Sequence, residues 1–158
     1  MCPAAAVESE YSVKAAFLLN FARFTQWPAS AFQNTQSPFS ICVLGEDSFG
    51  PALDQLVEGE SVLGRRVVVQ RLRKPPATKA CHLLFVGASE KEARRVLAGV
   101  GGAVLTVGES PEFLSDGGII AFVLESRRVR FDVSLSAAAQ AGLTISSRML
   151  TVARSVRK

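Results

Sequence analysis

Few groups in this chain could do chemistry. Cys42 and Cys81 each stand in a short apolar run, Phe39-Ser40-Ile41-Cys42-Val43-Leu44 and Cys81-His82-Leu83-Leu84-Phe85-Val86, and His82 is the only histidine. One imidazole cannot build a histidine-based metal cluster. In an extended segment Cys81 and His82 point to opposite faces, so they do not converge as a thiol–imidazole pair. No Gly-x-Ser-x-Gly elbow occurs, and Ser48, Ser134 and Ser147 have no histidine near them in sequence. The acidic pairs Glu46–Asp47 and Glu109–Glu112 read as solvated loop acids. The chain therefore points away from an enzyme, and no cofactor or metal is expected. If the two runs are neighbouring strands, the sulfurs can meet, which suits an oxidising compartment. Such a bond would stabilise by about 3–4 kcal/mol. Two buried free thiols are the alternative.

Two other patterns bear on binding. Gly45-Glu46-Asp47-Ser48-Phe49-Gly50 follows a strand and precedes a helix, the position of a phosphate-binding turn. It lacks the glycine spacing of a nucleotide loop, and its acids would repel phosphate. The crevice at Gly45, Glu46 and Gly50 remains the expected small-ligand site. Basic residues gather at Arg65, Arg66, Arg71, Arg73, Lys74 and Lys79, and again at Arg127, Arg128 and Arg130. They read equally as a surface for an acidic partner or as a charged guard on a sheet edge. Without interleaved aromatics they do not point to nucleic acid.

The elements that must position these groups alternate along the chain. Of 158 residues 48% are hydrophobic and 20% charged, with a net charge of +4, which suits one soluble domain with a sufficient core. No run approaches the roughly 18–20 apolar residues of a membrane span. The start has neither a basic nor an apolar export region, so an exported domain implies a signal already removed. Residues 1–8 read as a flexible tail, and Cys2 within it has no assigned role. A helix is expected from Glu10 to Trp27-Pro28, with Val13, Phe17, Phe21 and Phe24 on one core stripe. Strands follow at Phe39–Leu44, Arg65–Leu72, Cys81–Val86 and Ala103–Val107. Helices are expected at Ala52–Val57 and from Glu90 to Val100, the latter capped by Ser89. Ile119–Leu124 and Val129–Val133 form a hairpin, and helices over Ser134–Ala141 and Ser146–Val156 close the chain. The result is one α/β domain over residues 9–158. Its sheet is mostly parallel with helices on both faces, and the late antiparallel hairpin lies at the edge.

The helix from Tyr11 to Phe24 ending at Trp27-Pro28 resembles the opening of the YfiR proteins. So do Ile41-Cys42-Val43-Leu44-Gly45, Cys81-His82-Leu83-Leu84-Phe85, Leu105-Thr106-Val107-Gly108, Gly117-Gly118-Ile119-Ile120, and the closing Ala141-Gly142-Leu143-Thr144-Ile145-Ser146-Ser147-Arg148-Met149-Leu150. That resemblance implies a periplasmic repressor that binds the periplasmic part of an inner-membrane diguanylate cyclase. An OmpA-like outer-membrane lipoprotein would sequester it, raising cyclic di-GMP and promoting biofilm growth. The resemblance also implies a Cys42–Cys81 disulfide. Two departures stand out: a second cysteine pair of some members is missing between Asp116 and Val123, and Ser134 stands where the family has asparagine. Val129, Phe131, Leu143 and Arg148 are the expected partner-facing residues, Phe131 reading equally as core. A homodimer is the default assembly. The runner-up is a periplasmic small-ligand sensor that modulates a signalling partner.

Overall fold

A computed structural model describes residues 3–45, 49–73, 81–87, 93–100 and 102–158, with side chains from Glu10 onward. The expectations for Cys2, Glu46, Asp47, Ser48, Lys74, Lys79 and the Ser89 cap fall outside these residues. In chain order the elements are α1 (Pro3–Arg23), β1 (Thr25–Gln26), β2 (Phe39–Leu44), α2 (Pro51–Val57), β3 (Ser61–Val62), β4 (Arg65–Leu72), β5 (Leu83–Val86), α3 (Ala93–Val100), β6 (Leu105–Gly108) and β7 (Ile120–Glu125). Then follow β8 (Arg128–Ser134), α4 (Leu135–Gln140), β9 (Thr144–Ile145), α5 (Ser147–Val152) and β10 (Ser155–Arg157). Eight of the described strands make one sheet in the order β10-β8-β7-β6-β5-β2-β4-β3, and β1 pairs with β9 in a second. The central pairs are parallel, and the β7–β8 hairpin is antiparallel. Its turn holds Ser126 and Arg127 at positive φ, as a two-residue hairpin loop requires.

The helical backbone begins at Pro3, ahead of the expected Glu10 and within the stretch read as a tail. Proline costs nothing in a first helical turn, and Ala4-Ala5-Ala6 are the strongest helix formers. The buried stripe of α1 also differs from the expected one. Lys14, Ala15, Leu18, Phe21 and Ala22 turn inward, whereas Val13 and Phe24 stay 43% and 38% exposed. Both stripes have helical spacing. The inward one lies one residue further round, and it is open to Lys14 because Glu109 meets its ammonium from the far side.

Strand β2 shows why both sheet faces are apolar. Phe39, Ile41 and Val43 join α1, α2, α4 and α5 on one face. Cys42 and Leu44 join Leu84, Val86 and the inner residues of α3 on the other. Every residue of β2 is buried, as the centre of a doubly covered sheet requires. The chain end departs from the expected helix through Val156. Helix α5 stops at Val152, Ala153 is extended, and β10 runs parallel to β8 with Ser155 opposite Asp132. The Arg154 N–H donates to the Phe131 carbonyl at 2.7 Å, and its guanidinium holds Asp132 at 2.6 Å. The hairpin is therefore one strand in from the sheet edge.

The segment between β6 and β7 is pinned at both ends. Cβ atoms built on Gly108 and Gly118 would lie 2.3 and 2.1 Å from the Phe113 ring, so two glycines clasp that ring where no side chain fits. The Gly118 N–H donates to the Phe113 carbonyl, and the Ile119 N–H to Thr106 Oγ1.

Candidate functional site

Cys42 and Cys81 are joined. The Cα atoms are 5.9 Å apart, and both residues are buried against α3. Their strands are adjacent and parallel, with Cys42 opposite Leu84 and Cys81 just ahead of β5. The bond ties the middle of the sheet and takes up both cysteines among the described residues.

His82 is a structural residue at the floor of a crevice of about 300 Å³ lined by Ser30, Phe32, Ser37 and Ser40. The Ser40 N–H donates to Nδ1 at 3.0 Å, so Nε2 carries the proton and donates to the Ala31 carbonyl at 3.0 Å. The ring stacks between Phe32 and Phe39. Burial pushes its pKa below the ordinary 6.5. The nearby Arg65 charge pushes the same way, and the Ala31 bond opposes both. A second proton on Nδ1 would face the Ser40 N–H. The unfolded chain therefore binds that proton more readily, and the His82 contribution to stability is complete above pH 6.5 and drains away as pH falls below it. Melting temperature should decline between pH 7 and pH 5, and His82→Gln should flatten that part of the profile. Asp132 has its pKa lowered by the Arg154 hydrogen bond, so its contribution is lost only as pH falls below 3.8. The two windows can be read apart.

A cleft of about 510 Å³ opens where β6 ends and β7 runs on. Leu114, Ala121 and Phe122 supply its apolar lining. At one side the Lys14 ammonium, buried from α1, bonds Glu10 at 2.5 Å and Glu109, and the Tyr11 hydroxyl donates to the same Glu109 carboxylate at 2.8 Å. At the other, Arg154 grips Asp132 through two hydrogen bonds of 2.9 and 2.6 Å, with Arg157 beside them. Charged groups of both signs around an apolar lining suit binding by charge and shape.

An apolar groove of about 250 Å³ lies between the second half of α1 and α5. The β1–β9 pair builds it: Thr25 lies opposite Ile145, and the Ser146 N–H donates to the Phe24 carbonyl, so the end of α1 is tied to the start of α5. Phe17, Phe24, Met149 and Val152 line it, Phe131 lies at its base, and Arg148 stands at its rim. Val152 is 60% exposed.

The expected partner residues divide. Phe131 is buried under Phe17 and Phe21 but reaches the groove base, and Arg148 is exposed at the rim. Val129 is half-buried, packed against the core, and lines none of the clefts described here. Leu143 is 4% exposed and belongs to the core, so it presents no surface for docking. Of the expected ligand residues, the Gly45 N–H donates across to the Leu72 carbonyl at the end of β4, the Gly50 carbonyl accepts from the Arg71 guanidinium, and neither lines a described cleft. Glu46 is outside the described residues. Phe24 was expected in the core and Val152 was not singled out; a stripe pattern does not separate its outer edge from its buried centre, and Phe24 stands at that edge. Lys14 carried a signal, the i, i+4 spacing to Glu10, but spacing alone does not announce burial.

A family model described as YfiR/HmsC-like matches residues 11–154. Among solved structures the chain is similar to a conserved domain protein from Vibrio cholerae O1 biovar El Tor, at 13% sequence identity and a TM-score of 0.50. The match covers 75% of this chain and 54% of that one, and it shows a shared fold.

Proposed function

The chain belongs to the YfiR/HmsC-like family of periplasmic regulators of cyclic di-GMP signalling, and we propose that it restrains an inner-membrane diguanylate cyclase by docking on its periplasmic domain. The observation that carries this reading is the solvent-open apolar groove between α1 and α5, with Arg148 at its rim. Apolar anchors ringed by polar groups are what a protein partner buries, each large side chain adding about 1.5–3 kcal/mol. An OmpA-like outer-membrane lipoprotein would relieve the restraint by competing for the same groove. A second copy of the chain is the other occupant to test, as a homodimer.

Binding to the purified periplasmic domain of a membrane diguanylate cyclase from the same organism is the direct experiment. A complex is expected, and Phe24→Asp with Val152→Asp should weaken it at least about thirtyfold, the loss of roughly 2 kcal/mol at a hot spot. Both positions are exposed, so the fold should survive the change. No complex at about 100 μM, where even weak interfaces register, would refute the docking reading. Sedimentation at the same concentrations reports the homodimer.

A further inference from the structure

We propose that the outer edge of β4, from Val67 onward, takes up an extended acidic segment of a partner protein as an added strand. This inference is independent of the docking reading and uses a different part of the surface. In the sheet order β4 lies towards the other end from β8, whose Phe131 forms the base of the apolar groove.

The two sides of β4 are used unequally. On the inner side residues 67–72 pair in parallel with Phe39–Leu44 of β2. On the outer side β3 pairs only with Arg65 and Arg66, in a hairpin closed by Leu63 and Gly64 at positive φ. The Gly45 N–H donates to the Leu72 carbonyl, so the backbone of Leu72 faces β2. The N–H and C=O of one strand residue point the same way, and successive residues alternate. Val68 and Gln70 therefore also face β2, whereas the peptide groups of Val67 and Val69 face outward. No strand pairs with that outer side beyond Arg66 among the described residues. Val67, Val68 and Val69 are only half-buried there, whereas every residue of β2 is buried. A valine-rich edge with outward peptide groups two residues apart is the template that strand addition needs.

Charge selects the occupant. From Arg65 to Arg73 the chain reads Arg-Arg-Val-Val-Val-Gln-Arg-Leu-Arg, four arginines without an acid. Asp54 holds Arg71 at 2.7 Å. Arg65 is turned away onto the Phe32 ring, 3.8 Å from its centre, and onto the Ser37 carbonyl. Arg66 and Arg73 are exposed at the two ends of the open stretch, with no ion pair among the described residues. A second copy aligned on this edge would set like charges across the new ladder, which destabilises a strand pair. The arginines that deter self-pairing are the groups that attract an acidic strand. From Arg66 to Arg73 an extended chain spans roughly 23 Å, so a segment of about seven residues covers the edge. Its centre is apolar or β-branched beside the valines, and its acids lie at the ends, near Arg66 and Arg73.

The test is a calorimetric and thermal-shift titration of the whole chain with three peptides, each acetylated and amidated at its ends. The first is Glu-Glu-Val-Thr-Val-Glu-Glu, the second has lysine at every acidic position, and the third is the first with both valine nitrogens methylated. The acidic peptide should bind saturably and raise the melting temperature. The lysine peptide should bind at least about tenfold more weakly through like-charge opposition, and the methylated one equally so through loss of backbone donors. Arg66→Glu with Arg73→Glu should reverse the preference between the acidic and lysine peptides. The unliganded melting temperature of that variant verifies that the fold is intact. Absence of saturable binding up to about 5 mM, or binding indifferent to charge or to methylation, overturns the proposal. Self-association of the chain that the acidic peptide displaces assigns the edge to a second copy and overturns it too.

Discussion

Lys14→Met should destabilise the protein by about 3–5 kcal/mol, the range for removing one partner of a buried ion pair. Lys14 is 3% exposed on the inner stripe of α1. Its ammonium bonds Glu10 and Glu109, and lies 4.6 Å from the Tyr11 ring centre and 5.5 Å from that of Phe122. Methionine fills the space of the stem but leaves the Glu109 carboxylate, in a side chain 8% exposed, without its ammonium. At this chain length the loss corresponds to a fall in melting temperature of about 6–20 °C. The identifying result is the double variant. Glu109→Gln added to Lys14→Met should restore much of the loss, because the buried carboxylate that lost the Lys14 ammonium is then neutral. Strictly additive losses would mean that the pair is not coupled. Glu10→Gln should cost far less, since the Glu10 side chain is 23% exposed and water replaces part of its bond.

Loss of the Cys42–Cys81 bond should cost nearly as much, by a different route. The cysteines are 39 residues apart in sequence, and closing a loop of that size restricts the unfolded chain by about 4 kcal/mol in the chain-entropy model. Cys42→Ala with Cys81→Ala should lower the melting temperature by roughly 8–15 °C without altering the far-ultraviolet spectrum. Both sulfurs are buried, so reductant added to folded protein should act only as fast as the sheet opens, and denaturant should speed the reaction. Rapid reduction of the native protein would show that the bond is accessible. An unchanged melting temperature in the double variant would show that the core alone sets stability.

The strands were the legible part of the sequence. Phe39–Leu44 and Arg65–Leu72 have the expected bounds, because apolar or alternating runs between glycines and prolines leave little else to form. The antiparallel hairpin was legible from its polar turn. What stayed hidden was long-range. Nothing local in Ser155-Val156-Arg157 announces a strand, and β10 exists because Arg154 finds Asp132, 22 residues back. Thr25-Gln26 and Thr144-Ile145 are too short to read as a pair, yet they set the groove between α1 and α5. The cleft was invisible for the same reason: Lys14 and Glu109 are 95 positions apart. Residue types suggested a binding protein without catalysis, whereas the place of binding depends on which distant side chains the fold brings together.

The glycine clasp around Phe113 has a consequence for how the cleft behaves in solution. An aromatic ring with glycine backbone against each edge, Gly108 at one and Gly118 at the other, cannot rotate about its own axis unless the surrounding backbone breathes. Proton resonances from the two edges of that ring should therefore be distinct at room temperature and coalesce only on warming. Glu109, Ser110, Pro111 and Leu114 belong to the same anchored segment and form one wall of the cleft. Ring rotation at Phe113 thus reports on the stiffness of the wall, and a stiff wall means that a ligand arriving there meets a shape already made.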